Sequence, residues 1–134
     1  METEQKLVND FCNIIWNKHD KSAIPEILHH SFTFRGSLGI EKQGYDGFIE
    51  YLDMIHNALG SYTCTIKDIV SEQSKAFAKM QFTGIHQAKF LGVKPTGKQV
   101  TWDGAAMFNF KENKISSLWV VGDIKSLESQ LHEC

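Results

Sequence analysis

Asp123, His86 and Arg35 are the side chains whose type and place in the pattern suit them to move a proton or hold an anionic oxygen. Asp123 ends the apolar run Ile115–Gly122, so its carboxylate either serves as acid and base or caps a following helix through Ser126 and nearby amides. His86 shares the parity of Ala78, Met80, Phe82 and Gly84, which makes it a pocket imidazole or a satisfied core histidine. Arg35 is the one arginine in the chain. Alternation of Phe32 and Phe34 against Thr33 and Arg35 sets it on the opposite face of its strand. Turned toward an interior, a guanidinium would clamp a carboxylate or an enolate oxygen; the alternative is a structural ion pair with Asp123, Asp103 or a glutamate. Trp102 and Trp119 are candidate walls for a ligand, or core, and Tyr51 and His29 are further candidate contacts. Adjacent His29 and His30, with no third ligand at a suitable spacing, do not make a metal site.

These residues need elements to position them. Leu7, Val8, Phe11, Ile14 and Ile15 recur at helical spacing, which predicts an amphipathic helix from Thr3 to about His19. Ser22 as cap and Pro25 in the first turn predict a short second helix, ending near His29. Ser31–Ser37 alternates as a strand, broken by Gly36 and Gly39. Phe48, Ile49, Leu52, Ile55 and Leu59 predict a third helix from Gly44, stopped by Gly60. Tyr62–Glu72, Lys75–Gln87, Lys98–Phe110 and Ile115–Gly122 then read as four consecutive antiparallel strands. A C-terminal turn of helix follows over Ser126–His132.

Helices followed by a long meander predict an α+β domain in which a curved antiparallel sheet wraps around three helices, a cone with a mouth. Glycines 84, 104 and 122 fall inside long strands as candidate bend points. Even positions of the second and third long strands are the apolar ones, which puts His86 and Trp102 inside. Both parities of Ile115–Val121 are apolar, so that strand is buried on two faces, one of them against another sheet or a second copy of the chain. Together with Ala105 and Met107 this predicts a homodimer.

At 134 residues, with no repeat or linker, the expectation is a single domain over 1–134. A net charge of −2 with a single arginine leaves no basic stripe for nucleic acid. No apolar stretch is long enough to span a membrane. Cys12, Cys64 and Cys134 are widely spaced and read as reduced thiols of a cytoplasmic protein.

The segments Gly84-Ile85-His86, Phe90-Leu91-Gly92-Val93-Lys94-Pro95-Thr96-Gly97-Lys98, Trp102-Asp103-Gly104 and Trp119-Val120-Val121-Gly122-Asp123 together resemble the SnoaL-like polyketide cyclase family, within the nuclear-transport-factor-two-like superfamily. The resemblance runs from Leu7 to Leu131. It implies the cystatin-like cone, an enclosed small-molecule pocket, and an aspartate at Asp123 that acts as acid and base in an aldol ring closure, assisted by a histidine at His86. It implies neither cofactor nor metal. The run Phe34-Arg35-Gly36-Ser37-Leu38-Gly39 departs from the characterised cyclases and points to a different substrate. Two other readings stand beside cofactor-free cyclisation or isomerisation: a non-catalytic small-ligand-binding module, in which Trp102 and Trp119 matter and Asp123 does not, and epoxide hydrolysis with Asp103 beside Arg35. Parity sets Asp103 opposite Trp102, which ranks the last reading lowest.

Overall fold

A computed structural model describes residues 2–133, so Cys134 lies outside the described residues. The amphipathic N-terminal segment forms α1 (Glu2–Asp10) and runs on as a π-wound turn, Phe11–Asn17. A 3-10 turn at Lys21–Ala23, capped by the Asp20 carboxylate on the Ser22 amide, leads into α2 (Ile24–Ile27). Strand β1 (Leu28–Arg35), the short β2 (Glu41–Gln43) and α3 (Gly44–Ala58) follow, then β3 (Leu59–Glu72), β4 (Lys75–His86), β5 (Gln99–Lys111), β6 (Lys114–Gly122) and α4 (Ile124–Leu131).

The strands form one six-stranded sheet in the order β2-β1-β6-β5-β4-β3. The expected meander is β3 through β6, each pair antiparallel, whereas β1 joins β6 in parallel. The sheet is therefore mixed, and β2, too short for a periodic signal, adds its edge. Gly60 does not stop α3; β3 begins at Leu59, directly after Ala58.

Burial follows the alternation. Ala78, Met80, Phe82, Gly84 and His86 of β4 are buried, as are Val100, Trp102, Ala106 and Phe108 of β5. They face Phe11, Ile15 and Trp16 of the π-wound turn and Phe48, Tyr51, Leu52 and Ile55 of α3, so helices and concave sheet share one core. Two side-chain amides satisfy strand backbone that the ladder leaves bare. Asn17 exchanges bonds with the amide and carbonyl of Cys64 (2.7 and 3.1 Å). Gln130 of α4 does the same for Thr101 (2.9 and 2.7 Å), where β5 runs past the end of β6.

Candidate functional site

The turn after β1 brings polar atoms to the interior. Gly36 N–H donates to the Ile40 carbonyl and Gly39 N–H to that of Gly36, both at 2.9 Å, and Gly39 takes a positive φ of 88°. This lays Ser37 across β6. A Cβ at Gly122 would fall 2.9 Å from Ser37 Cβ and 3.1 Å from Trp102 Nε1; a Cβ at Gly36 would fall 2.6 Å from the Tyr51 hydroxyl oxygen. Absent side chains at these two positions are what let Ser37, Tyr51 and Trp102 approach the backbone so closely.

Tyr51 lies among aromatic neighbours, its ring 5.0 Å from Phe34 and 6.0 Å from Trp16. Burial pushes its phenol up to about 12, while bonds from the Ser37 hydroxyl and the Leu38 amide act in the opposite direction. It therefore holds its proton near neutral pH. Burial also raises the Tyr62 phenol well above its ordinary value, helped by the nearby Cys64, Tyr51 and Cys12. A void of about 20 Å3 lies between Trp16, Ser37, Tyr51, Tyr62, Met80 and Phe82, room for about one water. Trp102 stands behind this wall, its ring 5.3 Å from Phe82. Its Nε1–H is buried and has no hydrogen-bond partner among the described residues. A buried donor left unpaired costs about 1–3 kcal/mol, so this N–H is a feature that an acceptor oxygen would relieve.

His86 is fully buried. Its Nδ1 accepts from the Thr96 amide at 3.2 Å and meets the Thr96 hydroxyl at 3.1 Å. The ring proton therefore sits on Nε2, which is buried without a partner among the described residues. The main chain of His86 also anchors the following loop, accepting from Gly97 N–H and donating to the Lys98 carbonyl. His86 thus holds the Thr96–Lys98 segment and presents a second unpaired donor on the inner face.

The other expected residues are placed differently. Asp123 is exposed and caps α4, accepting from the Ser126 amide at 3.1 Å, while its own amide donates to the Asp103 carbonyl. Arg35 and Trp119 are brought together, but on the outer face of the sheet: they pair across β1 and β6, and the guanidinium carbon stands 5.2 Å over the indole. Arg35 Nη1 donates to the Val120 carbonyl. Half-exposed Trp119 borders an open groove of about 340 Å3 together with Glu41 and Lys42. The convergence of Asp123, His86 and Arg35 on one hollow does not occur. The reason is parity: inward-facing Leu118 and Val120 turn Trp119 and Val121 out, and Phe34 turns Arg35 out. His29 is buried at the start of β1, on Ser31 and Glu112.

Ser37, Tyr62 and Gly122 belong to the interior site without having been marked for it. The Gly36-x-x-Gly39 spacing was the available signal for Ser37, and parity with Cys64 for Tyr62. Among the described residues, no group of three or more His, Cys, Asp or Glu is arranged to hold a metal ion. No helix among the described residues is long and apolar enough to cross a membrane.

A family model described as SnoaL-like polyketide cyclase matches residues 6–131. TsrD from Streptomyces laurentii superposes with a TM-score of 0.87 at 21% identity, over 98% of this chain and 96% of that one. AclR from Streptomyces galilaeus does so with a TM-score of 0.84 at 22% identity, over 100% and 87%. A SnoaL-like polyketide cyclase from Agrobacterium tumefaciens gives 0.82 at 18%, over 98% and 99%. At such identities the likeness carries the fold. No curated sequence matches the chain.

Proposed function

The chain belongs to the SnoaL-like polyketide cyclase family, and from that premise we propose that it acts without a cofactor on a small carbonyl-bearing molecule held inside the cone. The carbonyl oxygen accepts from Trp102 Nε1–H and from the Tyr51 hydroxyl, which keeps its proton. Donors aimed at an oxygen that gains charge as an enolate forms would lower the barrier to aldol closure or isomerisation. In this reading exposed Asp123, the residue after Gly122, exchanges the carbon-bound proton, and His86 Nε2–H is a further unpaired donor on the same inner face of the sheet. The observation that carries this reading is the unpaired, buried indole N–H of Trp102, which the bare backbone of Gly122 lets pack close beside Ser37. The void of about 20 Å3 requires the ligand to displace wall side chains, and Met80, unbranched and flexible, is the one best suited to yield.

A second reading, non-catalytic ligand binding, draws support from the exposure of Asp123 and its engagement by Ser126. Deuterium exchange at the α-carbon of aryl ketones in heavy water separates the two. The catalytic reading expects exchange above the buffer rate, lost in Asp123→Asn. Binding without exchange supports the second reading, and neither binding nor exchange across a panel of aryl ketones overturns both.

The same reading includes a homodimer formed through the outer face. Val70, Phe77, Met107, Trp119, Arg35 and Glu41 stand in one cross-strand row over all six strands, and the first four are exposed apolar side chains. Such a patch favours association with a second copy.

A further inference from the structure

At the other end of β1 from Ser37, a second polar constellation is built into the strand itself. Leu28 pairs with Ile115 and Thr33 with Ser117, so His29, His30, Ser31 and Phe32 stand opposite Ser116 alone. A bulge of this kind re-aims side chains, and here it buries the His29 ring while Ser31 stays exposed. The turn between β5 and β6 supplies the third member: Glu112 and Asn113, at positive φ of 53° and 62°, set the Glu112 carboxylate beside His29. The distances are 2.7 Å from Ser31 Oγ to His29 Nδ1 and 3.0 Å from His29 Nε2 to Glu112 Oε1.

The direction of each bond is fixed by the main chain. Ser31 N–H donates to His29 Nδ1 at 3.1 Å, so that nitrogen carries its lone pair and the ring proton lies on Nε2. Nε2–H therefore donates to Glu112. The Ser31 hydroxyl, facing a nitrogen without hydrogen, can only donate to it. The result is a hydroxyl on a basic nitrogen whose opposite N–H is held by a carboxylate, the arrangement that activates a nucleophile. The His30 ring, 4.2 Å from that of His29, packs beside it.

We propose that Ser31, His29 and Glu112 form a nucleophile, base and orienting carboxylate that accept an acyl group from small esters, at a site separate from the interior one. Ser31 Oγ bonds to the carbonyl carbon as its proton passes to His29 Nδ1. The carbon–oxygen bond to the alcohol then breaks, and the leaving alkoxide takes that proton. Ser31 is left acylated, and water, deprotonated by the same nitrogen, releases the acid and restores the hydroxyl. Because Ser31 is exposed, the substrate class is a short-chain ester that needs no deep pocket. His29 touches the transferred proton; Glu112 is a positioning residue.

The test is labelling by an alkyl fluorophosphonate, read by intact mass and peptide mapping. The Ser31 oxygen–phosphorus bond forms, phosphorus–fluorine breaks, fluoride leaves, and the proton goes through His29 Nδ1 to buffer. The expected result is an adduct on Ser31, absent in Ser31→Ala and formed at least about 100-fold faster than in the urea-unfolded chain, the lower range of general-base assistance. Glu112→Gln, at an exposed side chain that should not impair folding, slows labelling about tenfold, and Glu112→Asp recovers most of it. No Ser31 adduct at a reagent excess that fully labels a serine hydrolase in the same tube overturns the proposal. So does a labelling rate equal to that of the unfolded chain or unchanged by Glu112→Gln.

Discussion

Replacing Asp123 by Asn and by Ala separates the two jobs that its carboxylate can do. Its oxygen accepts the Ser126 amide at 3.1 Å at the start of α4, which buries Leu127 and Leu131. An N-cap of this type contributes about 1 kcal/mol when compared with Ala, and Asn caps as well as Asp. For a domain of 134 residues, about 1 kcal/mol corresponds to a shift in the thermal midpoint of roughly 3–4 °C. Asp123→Ala should therefore lower the midpoint by that amount, and Asp123→Asn by less than about 1 °C, since its side-chain oxygen is retained. Turnover moves differently if the carboxylate exchanges a proton: Asn has no basic oxygen, so both variants should lose α-carbon exchange. Calorimetry and exchange on the same three proteins give the answer. Equal midpoint losses for Asn and Ala refute the capping geometry, and retained exchange in Asp123→Asn refutes the proton-transfer role.

Three further outcomes follow from the same geometry. Gly122→Ala places a Cβ 3.1 Å from Trp102 Nε1 and 2.9 Å from Ser37 Cβ; it should cost about 1–3 kcal/mol in urea unfolding and abolish ketone binding by calorimetry, and unchanged affinity would contradict the site. Burial raises Tyr51 from its ordinary 10.0 to about 12, so the associated stability is complete below pH 10 and is lost as pH rises through 12, on the order of 3 kcal/mol. In Tyr51→Phe the fall in stability over that window should be shallower by this amount, measured by denaturant unfolding at each pH; an identical slope would show that the phenol is not held protonated. Trp119→Glu charges the end of the outer apolar row and should convert a dimer to a monomer in sedimentation at micromolar concentration. A wild-type protein already monomeric there removes the self-association reading.

Alternation made β4 and β5 legible, because their outward positions carry Lys79, Gln81, Thr83, Thr101 and Asp103 and so mark the face that water sees. β6 offered no such mark. Ser116 and Ser117 are the only polar residues between its ends, and the register shift beside Asn109 and Phe110 sets which residues of β6 turn inward. Trp119 looked like pocket wall for that reason and is half exposed. Alternation assigns Arg35 to the outer face, where it lies; an inward guanidinium follows from its chemistry and not from the pattern. The cap on α4 was legible as one of two readings of Asp123. Ser37 carries only the Gly36-x-x-Gly39 spacing as a signal, since a turn residue has no period, and its position depends on what Gly122 leaves out. His29, Ser31 and Glu112 are 83 residues apart at the extremes, and no spacing rule brings a hairpin turn to a bulge on a parallel neighbour.

The indole N–H resonances test the central claim most directly. Trp16, Trp102 and Trp119 give three such signals in a proton–nitrogen spectrum, assigned by Trp102→Phe and Trp119→Phe. On titration with an aryl ketone that binds, the Trp102 Nε1–H signal should move downfield as it gains an acceptor, while exposed Trp119 stays in place. A bound ketone that leaves the Trp102 signal unmoved, or that binds Trp102→Phe with equal affinity, would contradict the account.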